Sequence, residues 1–392
     1  MQELVGILAK KYYPKIVELR HQIHMHPELE FEEENTAHLV CKILDEYKIS
    51  YERNIAKTGI LASIKGKDGG KCVLLRADMD ALAVQEKTGL SYASKIEGKM
   101  HACGHDGHTA ALVGAGLILN ELKDKFKGTI KLMFQPAEEG SGGAKPMIES
   151  GILENPKVDA VFGCHLWGPL LENTAQIVSG EMMAGVDVFD LEFIGKGGHG
   201  AHPHTTIDPI VMAAKFISDI QCVVSRRLKP VDAGVITIGK ISAGTTFNVI
   251  ADSAFLKGTA RFLSEENQKI LQNSIENIAK AVAFEFGGDF KLDYKREYPP
   301  LINDESAAKI ARKAFAKILG EENIIHTAKP DMGAEDFSFL TRERKGAYVF
   351  LGISKDLKNP TLHHSSTFCW DDKNLNVLMQ GDAMMALEFL QN

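Results

Sequence analysis

The chain has 392 residues, which at roughly 150 residues per domain points to two domains. Lys and Arg total 45 against 52 Asp and Glu, a net charge of -7, and this mild acidity argues against the basic footprint of a general nucleic-acid binder. Hydrophobic content of 44% and charged content of 25% exclude a disordered chain and suit a globular enzyme with a core of normal size.

The first predicted element is a helix over 4–25, which stops at His26-Pro27. A second helix covers about 35–47. Strand-like sequence follows at 59–64 and 72–75, separated by a KGKDGGK turn, and ends in RADMDAL. The motif HACGHDGH comes next and is read as an irregular turn before an apolar helix over 109–122. The run from Ala110 to Leu119 is far shorter than the roughly 20 residues of a bilayer-spanning helix, so no membrane partner is expected. A strand at 129–134 ends in QPAEEGSGG, a helix covers 144–150, and a strand at 160–163 ends in CHLW. Strand, polar motif and helix repeat, which is the order of an α/β layered sheet. In such sheets ligands bind beyond the carboxyl ends of the strands.

From about Val186 the texture changes to strand (186–194), helix (209–228), two strands (234–241, 254–262), helix (264–286) and strand (290–294). This is the split βαβ, ferredoxin-like order, and it reads as an insertion. The expected organisation is a catalytic domain of residues 1–185 and 297–392 interrupted by an inserted domain of residues 186–296. The opening sequence returns to charge within its first turn and does not read as a secretory signal. Six scattered Cys fit a reducing compartment, so a cytoplasmic protein is expected.

Five polar features could carry chemistry. In HACGHDGH, Cys103 and His105 can face one ion, and thiolate with imidazole suits zinc or a related late first-row metal. Glu138-Glu139 follow a strand; one carboxylate can bind an ion while the other takes a proton. Cys164-His165 and His363-His364 add imidazoles. Asp78 and Asp80 end a strand and can orient ligands from behind. Each has a bland alternative, from a helix cap to a solvated acidic turn or a surface His pair. Together they make the ligand count of a two-metal hydrolase. No phosphate-binding glycine loop, GxSxG elbow, HExxH or CxxC competes.

HACGHDGHTAALVGA, RADMDAL, FQPAEEGSGGAKPMI, VFGCHLW, GKGGHGAHPH, GAEDF and LHHSSTF, with RHQIHMHPELEFEE before them, resemble in order and spacing the aminoacylase, hippurate hydrolase and auxin-conjugate hydrolase family of the zinc exopeptidase superfamily. The resemblance spans about His21 to Asp372. It implies an α/β, zinc-exopeptidase-like catalytic domain with a mixed sheet flanked by helices, plus an inserted ferredoxin-like lid or dimerisation domain. It also implies two divalent ions, zinc, manganese, cobalt or nickel, held by Cys103, His105, Glu139, His165 and His364, with His363 the runner-up for the last place. Glu138 is implied as the base, Asp80 as a carboxylate behind the ions, and His199 as an oxyanion donor. Asn248, Arg261 and His202 are candidates for the substrate carboxylate. The chain departs from the family at Ala83, where a proline is usual, and at Ser365-Ser366-Thr367 after the His pair. The implied reaction is metal-dependent hydrolysis of N-acyl-L-amino acids, and the implied assembly a homodimer or higher homo-oligomer through the inserted domain. A dipeptidase or carboxypeptidase, or a silent ligand-binding protein, is the alternative on the same scaffold.

Overall fold

The structure is a computed structural model and describes residues 1–391. Its elements run α1 (Gln2–Met25), α2 (Glu34–Glu46), β1 (Ser50–Ile55), β2 (Gly59–Lys65), β3 (Lys67–Asp78), α3 (His105–Glu121), β4 (Lys127–Gln135), α4 (Ala144–Glu149), β5 (Ala160–Leu171), β6 (Ala175–Gln176), β7 (Gly180–Met183) and β8 (Gly185–Ile194). Then come β9 (Gly198–His199), α5 (Pro209–Arg226), β10 (Gly234–Ala243), β11 (Val249–Ile250), β12 (Ser253–Phe262), α6 (Glu265–Phe286), β13 (Asp289–Tyr298), β14 (Leu301–Asn303), α7 (Glu305–Leu319), β15 (Ile324–Ile325), α8 (Ser338–Glu343), β16 (Lys345–Ser354) and α9 (Lys373–Gln391). Among the described residues no helix is long and apolar enough to cross a membrane.

The chain divides into two compact units. The first holds Met1–Met182, Ile302–Lys329 and the residues from Phe339 onward; the second holds Met183–Leu301 and Pro330–Ser338. These limits lie a few residues from positions 185 and 297, and Pro330–Ser338 groups with the insertion. The backbone gives the reason: Ala184 donates its N–H to the carbonyls of Asp331 (2.9 Å) and Gly333 (3.0 Å).

The first unit is built on an eight-stranded mixed sheet in the order β1-β2-β4-β3-β5-β16-β6-β15. Its centre is parallel, with β3 between β4 and β5 and β16 beyond β5. Such strands are buried on both faces and read as apolar runs; Cys72 to Leu75 and Ala347 to Ile353 are of this kind. Helices α1, α3, α7 and α9 pack on one another, and α3, α7 and α9 lie on this sheet. Helix α3 is buried all the way from His105 to Leu119, as expected of a helix apolar all round. A Cβ on its first-turn Gly107 would come 2.3 Å from the Trp370 ring. Only glycine therefore lets the segment after His364 seat on the start of α3.

One strand is absent from the sequence expectations, and two expected boundaries need correction. Strand β1, SYERNI, is an exposed edge strand with little apolar signal, and periodicity misses it. Helix α3 begins at His105, so the second half of HACGHDGH is its first turn. Strand β5 continues through CHLWGPLL to Leu171, which places His165 within a strand.

The inserted unit is a four-stranded antiparallel sheet in the order β10-β12-β8-β13, carrying α5 and α6. Phe189, Leu191 and Phe193 alternate inward along β8 and meet Met212, Phe216 and Ile220 of α5 and Leu271 and Ile275 of α6. Ser264 caps α6 by accepting the N–H of Asn267.

Candidate active site

The parallel strands of the first unit deliver polar residues to their carboxyl edge. Strand β3 ends at Asp78, with Asp80 just beyond. Strand β4 ends at Gln135, and the next loop carries Glu138 and Glu139. His165 projects from β5, Cys103 and His105 from the start of α3, and His363 and His364 from the segment after β16. Candidate ligand atoms of Cys103, His105 and His165 lie within 4.8 Å of one another, as do those of Cys103, Glu139 and His364, and of His105, Glu138 and Glu139. All five sequence-predicted ligands and the predicted base thus belong to one cluster.

Hydrogen bonds sort the imidazoles by role. His165 Nδ1 lies 2.6 Å from the Leu166 carbonyl, which fixes the proton there and turns Nε2 toward Cys103 Sγ at 3.4 Å. His105 has Nδ1 3.3 Å from Asp80 Oδ1, while its buried Nε2 has no hydrogen-bond partner. Both keep a lone pair for an ion, with the other nitrogen held by an oxygen behind it. His108 uses both nitrogens: Nδ1 lies 2.6 Å from Asp78 Oδ1 and Nε2 accepts the Leu166 N–H at 2.9 Å. It orients rather than ligates. His363 Nε2 accepts the Gly168 N–H at 3.0 Å, which leaves Nδ1–H facing Cys103 Sγ at 3.6 Å. A donor in that place favours a thiolate. His364 is exposed and points Nε2 at Glu139 Oε1, 3.0 Å away. Its own φ is +58°, a left-handed conformation that a non-glycine residue holds only when its surroundings impose it. Here the His364 N–H is tied to the Ala102 carbonyl at 2.9 Å.

The carboxylates divide as well. Asp80 accepts the backbone N–H of Glu138 at 3.0 Å and that of Glu139 at 2.9 Å. It therefore sets the loop bearing the pair and touches His105, rather than lying in the open cluster. Asp78 pairs with Arg76 at 2.7 Å.

The electrostatics call for a cation. Burial, then the carboxylates of Glu139 and Glu138, push the Cys103 thiol well above its usual range. Burial disfavours a charged His105, but Asp78 and Asp80 outweigh it and raise its pKa to about 10. Burial, followed by the neighbouring imidazoles, keeps His165 well below its ordinary value and His363 down at about 3. An unpartnered imidazole nitrogen, a buried thiol and converging carboxylates are the donor set of divalent ions, and the residues present fit a pair of them.

A buried charged cluster that the sequence reading did not single out lies against the start of α3. Arg20 Nε bonds Asp106 Oδ2 at 2.9 Å, and its Nη1 pairs with Asp372. The guanidinium lies 3.6 Å from the Trp370 ring centre. His24 Nδ1 shares Asp106 Oδ2 at 2.9 Å. The signal available in the sequence was RHQIH at helical spacing, which puts Arg20 and His24 one turn apart. The neighbouring His101 is buried with neither ring nitrogen hydrogen-bonded, and nothing in the structure explains it.

In the inserted unit, His199 pairs across from Val249, the Gly200 N–H bonds the Asn248 carbonyl at 2.8 Å, and the His199 and His202 ring centres are 5.1 Å apart. His199, His202 and Asn248 therefore share one exposed loop pair. Arg261 stands apart on β12, half-buried; burial lowers its pKa and Asp331 opposes that.

The sequence pattern of the peptidase family M20/M25/M40 matches residues 74–386. A hippurate hydrolase of Campylobacter jejuni is 39% identical over 95% of this chain and 96% of its own. An N-acetylcysteine deacetylase of Bacillus subtilis is 36% identical over 97% of this chain and 98% of its own. A solved Bacillus subtilis structure, described as a dinuclear metal-binding peptidase of the M20 family, superposes with a TM-score of 0.85 at 33% identity, covering 97% of this chain and 99% of the other.

Proposed function

Since the chain belongs to the peptidase family M20/M25/M40, we propose that it is an amidohydrolase that splits small N-acyl-L-amino acids into a carboxylate and a free amino acid. The observation that carries this reading is the cluster in which Glu139 faces the candidate ligand atoms of Cys103, His105 and His364 while its neighbour Glu138 stands beside them. The names of the relatives, a hippurate hydrolase and an N-acetylcysteine deacetylase, support an acyl-amino acid substrate.

Cys103, His105, Glu139, His165 and His364 would hold two divalent ions, which when bound supply electrophilic activation of a water molecule and of the scissile carbonyl. The soft thiolate and imidazole donors favour zinc or another late first-row metal. His363 is assigned to the Cys103 sulfur instead, because its Nε2 is occupied. Glu138 takes the proton of the attacking water and returns it to the departing amine. Asp80 keeps Glu138 and His105 in register. His199 is assigned to the developing oxyanion, and Asn248, His202 and Arg261 to the substrate carboxylate.

The inserted unit offers a basis for a homodimer. Ile210, Val211, Ile241, Phe247, Val249 and Phe255 are exposed there, and β10 is an edge strand, a combination that natural proteins usually cover. The six cysteines are unpaired, which suits a reducing, cytoplasmic setting.

The test is a panel of N-acetyl-methionine, hippurate and a dipeptide, assayed for released amino acid. The expected result is turnover of an N-acyl amino acid well above the dipeptide. Turnover of the dipeptide alone would move the chain to the dipeptidase reading.

A further inference from the structure

The segment HPELEFEE carries four acidic residues that ligate nothing in the cluster; Glu32 pairs with Lys99 at 2.9 Å, while Glu28, Glu30 and Glu33 accept backbone N–H groups. Glu28 caps α2, accepting the N–H groups of Asn35 (2.8 Å) and Thr36 (2.9 Å). This relieves Glu33, which occupies the N-cap position of that helix but makes no capping bond with its side chain. Glu33 instead turns inward and is fully buried. Its Oε1 accepts the N–H of Ala137 at 2.9 Å and of Phe31 at 3.0 Å, and its Oε2 accepts the Thr58 hydroxyl at 2.5 Å. Glu30 Oε2 accepts both the N–H and the hydroxyl of Ser141 at 2.6 Å.

Ala137 is the residue before Glu138, and its φ is +56°. An L-residue adopts that left-handed conformation only against a steric penalty, and strain of this kind persists where the surroundings over-determine it. Three carboxylates grip this loop in order: Glu33 at Ala137, Asp80 at Glu138 and Glu139, and Glu30 at Ser141. The Gly142 N–H closes it on the Ala137 carbonyl at 2.9 Å. Asp80 alone fixes the amides of the pair but not the turn that leads into it.

We propose that Glu33 is a positioning residue of the reaction: through its bond to the Ala137 N–H it holds the left-handed turn that aims Glu138. The proposal rests on Glu138 acting as the base. What Glu33 supplies is reach and an acceptor oxygen rather than charge. Burial lifts its carboxyl to about 7, against the pull of Thr58 and the backbone N–H groups, so an uncharged acceptor in its place is compatible with the fold.

Two near-isosteric replacements separate reach from charge. Glu33→Gln keeps an oxygen for Ala137; Glu33→Asp keeps the charge but falls one methylene short. With metal content verified, Glu33→Asp is expected to lower kcat by roughly 10–100-fold, as a misplaced catalytic group does, with KM within about twofold. Glu33→Gln is expected to stay within about threefold of the unmodified enzyme. Adding Ala137→Gly to Glu33→Asp is expected to recover about threefold or more, because glycine takes positive φ unaided. Amide exchange of residues 137–141 rises in Glu33→Asp and not in Glu33→Gln. Full kcat in Glu33→Asp, or loss in Glu33→Gln with Glu33→Asp intact, overturns the proposal. Glu138→Gln is assayed alongside: turnover there removes the base itself, whereas a dead Glu138→Gln with an unimpaired Glu33→Asp rejects the clamp alone.

Discussion

Replacing Glu138 by glutamine is expected to leave a folded protein that retains its metal and turns over roughly a thousandfold more slowly, within the range general acid–base catalysis supplies. That loss corresponds to about 4 kcal/mol of transition-state stabilisation. The amide keeps the shape of the side chain and the backbone bond to Asp80, so the loop geometry survives while the proton acceptor is lost. KM is expected to move little, since the interaction removed is one used in the transition state. The neighbouring Glu139→Gln separates the pair. Glu139 faces His364 at 3.0 Å and His105 at 3.9 Å, so its loss is expected to weaken metal retention. Kinetics with metal analysis on the same samples check both. A Glu138→Gln protein with substantial turnover would remove Glu138 from the base role.

Replacing Arg20 by methionine is expected to destabilise the protein by about 3–5 kcal/mol, the usual loss when one partner of a buried ion pair is removed. Arg20 is only 1% exposed and Asp106 not exposed at all, so the carboxylate left behind cannot recover its charge partner from water. The melting temperature should fall on the order of 10 °C. Lysine rescues poorly, since a point charge cannot serve Asp106 and Asp372 in two directions and stack on Trp370. The change also reaches the site: Asp106 follows His105 directly, while Asp372 and Trp370 lie on the segment that carries His364. Calorimetry of metal-loaded protein measures the effect, and a shift of only a degree or two would contradict it.

The same cluster gives a pH signature. Burial disfavours the charged form of His24, but Asp106 and Glu86 overcome it and raise its pKa from 6.5 to about 9. A raised histidine stabilises the fold fully below pH 6.5, and that contribution is lost as pH rises through about 9.

Much of the site was legible in the sequence because its residues sit in short dense motifs at strand ends, where the chemistry constrains neighbours along the chain. Cys103 with His105 and Glu138 with Glu139 are of this kind. What remained hidden depends on contacts distant in sequence. Nothing local distinguishes His108, which spends both nitrogens on Asp78 and Leu166, from His105, which keeps one open. That His363 has its Nε2 occupied likewise turns on the Gly168 N–H, supplied by another strand. Arg20 and His24 read as polar residues on an amphipathic helix until α1 is packed against α3. The ferredoxin-like order of the insertion was readable because its strands and helices alternate cleanly, as along β8. Edge strand β1 was not, since an exposed strand needs no apolar alternation. Pro330–Ser338 joins the inserted unit through backbone bonds to Ala184 that no periodicity encodes.

The most direct test of a catalytic centre built from these residues is to count the metal and the turnover together. The protein is stripped with a chelator, reloaded stepwise with zinc or manganese, and assayed on an N-acyl amino acid at each step. The expected result is binding that saturates at about two ions per chain, with activity absent in the stripped protein and restored as the ions bind. Undiminished hydrolysis by protein shown to be free of metal would contradict the account.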